Sequence, residues 1–337
     1  MRGIGTAVWQ GFELTWLRTP HRLNRLGSWI DDIEHDEGGT RGTTRASLTV
    51  GRVPDRGRAR TWVAAFSSPD LRFVDGEIEV ELAARVGEPA LYRGERVLHP
   101  LAGAAPEAST VILRGFELGC TSHAAGVHAQ GLGMRLDRVR THGGCVSFVP
   151  EILVHANNSP DPLTTWSGEY RYRARMLYTV VLGAPGALAP CARRDDAPCV
   201  ALDHAKERPA LVPRHTRGRA GFENAVVALR GFWFEQRYCG GWQRDGRYLR
   251  QLAARVEDRA YDPHQGQAEW HPHCWFSNAG MVSYPVRAEH RLWTTLLQFH
   301  GPTPARREVV EQGVSWMGSE DLATRFAFDS ADVAMAM

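Results

Sequence analysis

Leu113-Arg114-Gly115-Phe116-Glu117-Leu118 is the middle member of three related blocks, the others being Trp9-Gln10-Gly11-Phe12-Glu13-Leu14 and Leu229-Arg230-Gly231-Phe232-Trp233-Phe234. Their phenylalanines are spaced 116 − 12 = 104 and 232 − 116 = 116 residues apart. Recurrence at a long interval marks a structural unit laid down more than once, and that reading governs the architecture.

Working outward from each block, the same order of elements follows. An alternating apolar stretch comes first: Leu26, Ser28 and Ile30, then Met134 and Leu136, then Leu252, Ala254 and Val256. In the last two the Phe-to-Leu interval is the same, since 136 − 116 and 252 − 232 both equal 20. An aromatic and β-branched element succeeds it, at Trp62 to Phe66, Val146 to Val154, and Trp275 to Phe276. A closing strand ends each unit. It is clearest where Tyr170, Tyr172, Ala174, Met176, Tyr178 and Val180 share one face against Arg171, Arg173 and Arg175. Its counterparts are Ile78, Val80 and Leu82 among glutamates, and Tyr284, Val286, Ala288 and His290. Period-two alternation between Gly, Pro, Asn and Asp clusters reads as antiparallel sheet with one packed face.

The expected fold is therefore all-β: three tandem, diverged antiparallel β-sandwich-like repeats at 1–90, 109–185 and 222–302. A linker at 91–108 and a Pro/Arg-rich linker at 186–221 separate them. A C-terminal tail at 303–337 is expected to be irregular or helical, with a short helix over 305–313.

Composition bounds the function. The 337 residues are 43% apolar and 23% charged, enough to bury a core against chain entropy. A net charge of only +2 provides no field for nucleic acid, so that partner class is set aside. Lys206 is the single lysine, and the arginine bias reads as a GC-rich bacterial coding signature. The first thirty residues lack the apolar core of a signal peptide, and no run suits a membrane span. The default expectation is cytoplasmic, although association with a particle, or release without a signal peptide, leaves no trace in a sequence.

Six cysteines fall in pairs by position: Cys120 with Cys145, Cys239 with Cys274, and Cys191 with Cys199. Such bridges would each stabilise by about 2–4 kcal/mol, and the competing reading is reduced thiols packed as small apolar groups. His264, His271, His273 and Cys274, with Cys239, form the densest ligand-like cluster; imidazole and thiolate suit zinc, although no cofactor is the primary expectation. In Thr141-His142-Gly143-Gly144-Cys145 a nearby imidazole would activate a thiol, but a Gly-Gly turn explains the motif without catalysis. No phosphate loop or nucleophile elbow is present.

Eleven tryptophans serve either sandwich cores or binding surfaces. Asn157, Asn158, Asp161 and Trp166, with Trp242, make the candidate carbohydrate platform. The leading expectation is a non-enzymatic structural or interaction protein, a component of a larger assembly whose partners are other protein subunits or copies of itself. A lectin-like protein with a glycan partner is the alternative, and a metal-dependent enzyme using the His/Cys cluster ranks last.

Overall fold

The computed structural model describes residues 4–16, 23–36, 39–50, 55–85, 89–120, 128–157, 169–196, 200–202, 214–238, 248–279, 286–315 and 321–329. Among them there is no α-helix, only strands and one 3-10 turn at Pro106–Ala108.

Five strands come first: β1 (Ile4–Trp16), β2 (Leu23–Asp36), β3 (Gly39–Val50), β4 (Asp55–Ser68) and β5 (Leu71–Arg85). Short β6 (Pro89–Arg93) and β7 (Val97–Pro100) precede β8 (Ser109–Cys120), β9 (His128–His142), β10 (Cys145–Asn157) and β11 (Glu169–Gly183). Then come β12 (Leu188–Asp196), β13 (Val200–Leu202), β14 (Arg214–Arg217), β15 (Asn224–Tyr238), β16 (Tyr248–Asp262), β17 (Gln267–Ala279) and β18 (Val286–Phe299). β19 (Arg306–Ser315) and β20 (Asp321–Asp329) follow.

Three antiparallel sheets result. The first runs β14-β17-β16-β1-β4-β19, the second β20-β3-β2-β8-β11-β5, and the third β12-β18-β15-β9-β10-β6, with β7 also on β10 and β13 also on β18. One plan recurs in all three. The first sheet joins β1 and β4 to β16 and β17, the second joins β8 and β11 to β2 and β3, and the third joins β15 and β18 to β9 and β10. Each run of four strands thus gives its outer pair to one sheet and its inner pair to the next. The sandwich layers expected from alternation are present, but no segment keeps a sheet to itself.

The repeated block explains the geometry. A register shift falls at Gln10, at Arg114 and at Arg230, each directly before the Gly-Phe pair. A bulge bends a strand and increases its twist. The glycine that follows tolerates the bend: Gly11 and Gly115 have φ of 146° and 151°, where a side chain is disfavoured. A Cβ at either would also collide with Arg255 or Trp29 on the adjoining strand. The phenylalanine after it points to the axis. Phe12, Phe116 and Phe232 are fully buried and meet there, with ring centroids 4.8, 4.8 and 5.1 Å apart. Trp9 stacks on Phe12 at 5.5 Å.

The bulge also divides each strand functionally. β1 meets β16 only over Gly11–Thr15, β8 meets β2 only over Gly115–Gly119, and β15 meets β9 only over Gly231–Glu235. Ahead of the bulge the three strands leave that neighbour and are buried on both faces. Ala7, Val111 and Val227 face the main core, while Val8, Ile112 and Val226 face a second one. That second core also holds Phe66 and Phe299, 4.3 Å apart and from different sheets.

Several sequence expectations are corrected. Residues 305–313 are not helical: β19 pairs along β4 from Arg306 to Ser315, burying Val309, because an open sheet edge outweighs a modest helix preference. The tail also supplies β20, paired to β3. The linker at 91–108 contains most of β6 and all of β7, and the linker at 186–221 contains β12, β13 and β14. The third element of the first unit is β3, which pairs with β2 as β10 does with β9; Trp62 to Phe66 lies one strand later, in β4. β3 has a weak sequence signal because its inward positions include the buried polar residues Thr40 and Thr44 beside Gly42. The shared interval of 20 does not mark equivalent positions either. Ser28, Met134 and Ala254 are the residues that face Phe116, Phe232 and Phe12.

Candidate functional site

Strand directions sort the connections into two ends. The β2–β3, β9–β10 and β16–β17 hairpins, and the turns after β4, β11 and β18, lie at the end where β1, β8 and β15 begin. The segments joining β1 to β2, β8 to β9, β10 to β11 and β15 to β16 leave from the opposite end, and they lie outside the described residues. Of the candidate carbohydrate platform, Asn157 is placed at the last position of β10, opposite His128. Asn158, Asp161, Trp166 and Trp242 lie outside the described residues. The strands that lead to both stretches, β10 and β15, are two apart in the third sheet, about 10 Å at ordinary strand spacing.

The cysteine pairing of 120 with 145 is overturned. Cys120 ends β8 in the second sheet and Cys145 opens β10 in the third. β8, β9 and β10 run alternately up and down, which puts these residues at opposite ends of strands of 12 to 15 residues, about 40 Å long. Cys191 and Cys274 are thiols; Cys199 and Cys239 lie outside the described residues. Cys274 is fully buried, which pushes its pKa well up and makes it inert.

The metal-ligand candidates divide between two faces. His271 and His273 share the outer face of β17, as alternation requires, with His271 Nε2 3.7 Å from Glu269 and His273 Nε2 3.2 Å from Glu257. Burial holds the His273 pKa down, helped by Arg255 and opposed by Glu257. Cys274 points the other way into the core, and His264 is exposed in the β16–β17 turn. Among the described residues no three His, Cys, Asp or Glu side chains form a group able to hold a metal. His142 and Cys145 are cross-strand partners flanking Gly143 and Gly144, whose positive φ values make the tight turn the motif implied.

Sequence reasoning did not anticipate the Arg–Trp stacks on the outer faces. Arg255 lies 4.2 Å from the Trp62 ring centroid in the first sheet, and Arg175 lies 5.0 Å from Trp29 in the second. Arg135 lies 4.8 Å from Trp293 and 5.7 Å from Trp233 in the third. Each stack sits beside the glycine of the block: Gly11 lies between Trp62 and Arg255, Gly115 beside Trp29, and Gly231 between Trp293 and Arg135. Arg135 is further bound by Glu151, which is 3% exposed and also pairs with Arg93 at 3.2 Å. Arg135 and Arg175, the latter 3.8 Å from Glu117, are held by ring and carboxylate together, which makes them structural clamps rather than available donors.

A cavity of about 210 Å³ opens where the first and third sheets meet at the hairpin end. It is built by β15, β16, β17 and β18 and the approach to β19. No local motif signals it, because its lining comes from strands far apart in sequence.

No known protein family and no curated protein matches the sequence. Among solved structures, that of the infectious bursal disease virus Gx strain aligns at 9% identity over 89% of this chain and 66% of that one, with a TM-score of 0.22. The chain thus spans about two thirds of that neighbour's length. The CymD monoaromatic hydrocarbon channel aligns at 10% identity over 89% and 88% of the two chains, with a TM-score of 0.11. A Pseudomonas aeruginosa FadL homologue aligns at 7% identity over 88% and 90%, also at 0.11. Likenesses this faint carry no argument. Among the described residues no helix is long and apolar enough to cross a membrane.

Proposed function

We propose that this protein is a non-enzymatic structural or interaction protein, a component of a larger assembly, built from three tandem diverged units that interlock into one body. One observation carries the reading. Among the described residues the exposed large apolar side chains are Val74, Leu91, Leu98 and Val310, at 42%, 58%, 61% and 38% exposure. All four sit on edge strands, and each sheet has at least one: Val74 on β5, Leu91 and Leu98 on β6 and β7, Val310 on β19. Edge strands carry unpaired N–H and C=O groups, and proteins that stay apart normally line them with charge. β5 does so with Glu77, Glu79 and Glu81, whereas β6 and β7 present leucine beside open backbone. That combination suits pairing with another subunit's strand.

Mass in solution tests this. The expected result is an oligomer, or a co-purifying protein partner, that dissociates when Leu91→Lys and Leu98→Lys are combined. A strict monomer without a partner overturns it.

The second reading is a lectin-like protein, favoured by β10 and β15 leading into Asn158, Asp161, Trp166 and Trp242 from the same end of one sheet. A glycan array should then show binding that Trp166→Ala removes. No binding on the array removes the reading.

A further inference from the structure

The residues inserted at the three bulges are Gln10, Arg114 and Arg230. In the second sheet an acid on the edge strand neutralises the arginine. Asp75 of β5 pairs with Thr179 of β11, and its carboxylate accepts from the Thr179 hydroxyl through Oδ1 at 2.6 Å and meets Arg114 Nη1 through Oδ2 at 3.3 Å. Thr179 follows Tyr178, which faces Leu113 just ahead of the bulge. The third sheet repeats this register: Thr295 follows Thr294, which faces Leu229, but on its edge side Thr295 pairs with Ala192 of β12. It keeps the arginine and the threonine and lacks the acid. The first sheet carries a different set, with Ala64 and Arg306 in place of the threonine and the acid, and with the Gln10 amide donating to the Val227 carbonyl at 3.1 Å.

Both donors of the third sheet are left over. Arg230 makes no hydrogen bond or ion pair among the described residues, and its Nε is buried without an acceptor. Thr295 is 1% exposed, and its Oγ1 is buried without a partner as well. Asp137 holds the register position of Asp31, which lies 3.7 Å from Arg114, yet Asp137 is engaged by Arg138 at 3.5 Å and Arg93 at 3.7 Å. Burial pushes the Arg230 pKa down, opposed by Asp137 and helped by Arg135. A buried cation and a buried hydroxyl without partners are both costly, so an acceptor that reaches them is bound at a gain.

We propose that Arg230 and Thr295 bind a small aliphatic monocarboxylate, of the formate and acetate class, on the outer face of the third sheet. One oxygen accepts from the Thr295 hydroxyl and the other from the Arg230 guanidinium, as the Asp75 carboxylate does from Thr179 and Arg114. Ala192 is exposed, so a free acid reaches the place beside its methyl group where an aspartate would carry its carboxylate. Asp137 nearby disfavours a dianion such as phosphate, which restricts the site to a single negative charge.

Fluorine NMR of difluoroacetate added to the full chain at fixed ionic strength tests this. The probe should saturate one site per chain below about 100 mM, and acetate should displace it where equal chloride or phosphate does not. Arg230→Gln should weaken binding about tenfold or more. Ala192→Asp, a change at an exposed edge position, should abolish binding because the chain then supplies its own carboxylate. Asp75→Ala should create a second site, at Arg114 and Thr179. Cooperative thermal unfolding confirms that each variant is folded, and Ala192→Asp decides the matter if the other two are not. No saturation, displacement by chloride or phosphate equal to that by acetate, undiminished binding in Ala192→Asp or in folded Arg230→Gln, or a single site in folded Asp75→Ala overturns the proposal.

Discussion

Ahead of its bulge, β8 is buried on both faces, and beyond it the same strand shows one face to the core and the other to an Arg–Trp–Glu surface. Ser109 to Leu113 read as a continuous buried run, while Gly115 to Gly119 pair on both sides within a wide sheet. The same contrast holds for β1 and β15. One strand can therefore obey two burial rules, the fully covered and the half-covered, when an inserted residue releases it from one neighbour.

The axis is where this contrast breaks most severely. Phe116→Ala removes one of three mutually packed rings and should cost about 3–5 kcal/mol in urea unfolding, since the other two cannot close the gap. A loss below about 1 kcal/mol would mean that the rings do not hold the sheets together.

The doubly buried half is tested by comparing its faces. Ile112→Ala on the second core and Leu113→Ala on the first should each cost about 2–5 kcal/mol. If Ile112→Ala is nearly neutral, that half is ordinary one-sided sheet.

His290 sharpens the same point beyond the bulge. It is 3% exposed on β18 opposite Phe234, its Nε2 finds no partner among the described residues, and burial lowers its pKa from 6.5 to about 4. The unfolded imidazole takes up a proton near pH 6.5 and the folded one only near 4. Stability from this group is thus full above pH 6.5 and lost as pH falls through that window, by about 3 kcal/mol in total. Unfolding midpoints across the window should show the slope, and His290→Leu should flatten it.

The outer face should respond least. Arg255→Gln removes the guanidinium over Trp62 and is expected to cost about 0.5–1 kcal/mol in thermal unfolding. A cost as large as that of Phe116→Ala would place the main stabilising contacts on the surface instead.

Much of the strand content was legible because period two is a local signal. The Tyr172 to Val180 face of β11 lies in the core, and the Gly-Phe pair of each block marks a bend at the axis. Sheet membership was not legible, because the runs are joined by pairings between distant residues, from Trp29 with Gly115, 115 − 29 = 86 positions apart, to Gly11 with Arg255, 255 − 11 = 244 apart. β3, with Thr40 and Thr44 turned inward, lacked the apolar face that reveals a strand, and β19 became one only because β4 offered it an edge. The His/Cys cluster illustrates the same limit: His273 and Cys274 are neighbours in sequence and lie on opposite faces of β17. The cavity corner was beyond reach, since Val227, Ala268 and Leu296 meet only once two sheets have closed.

The sharing of each sheet between different runs of strands has a consequence for synthesis. Gly11 pairs with Arg255, 255 − 11 = 244 residues later, and Asp329 of β20 closes on Gly39. The earliest strands to leave the ribosome must wait for nearly the last before their sheets exist. Contacts of such long range make folding slow, and the nascent chain carries its phenylalanine and tryptophan faces uncovered until the ring is complete.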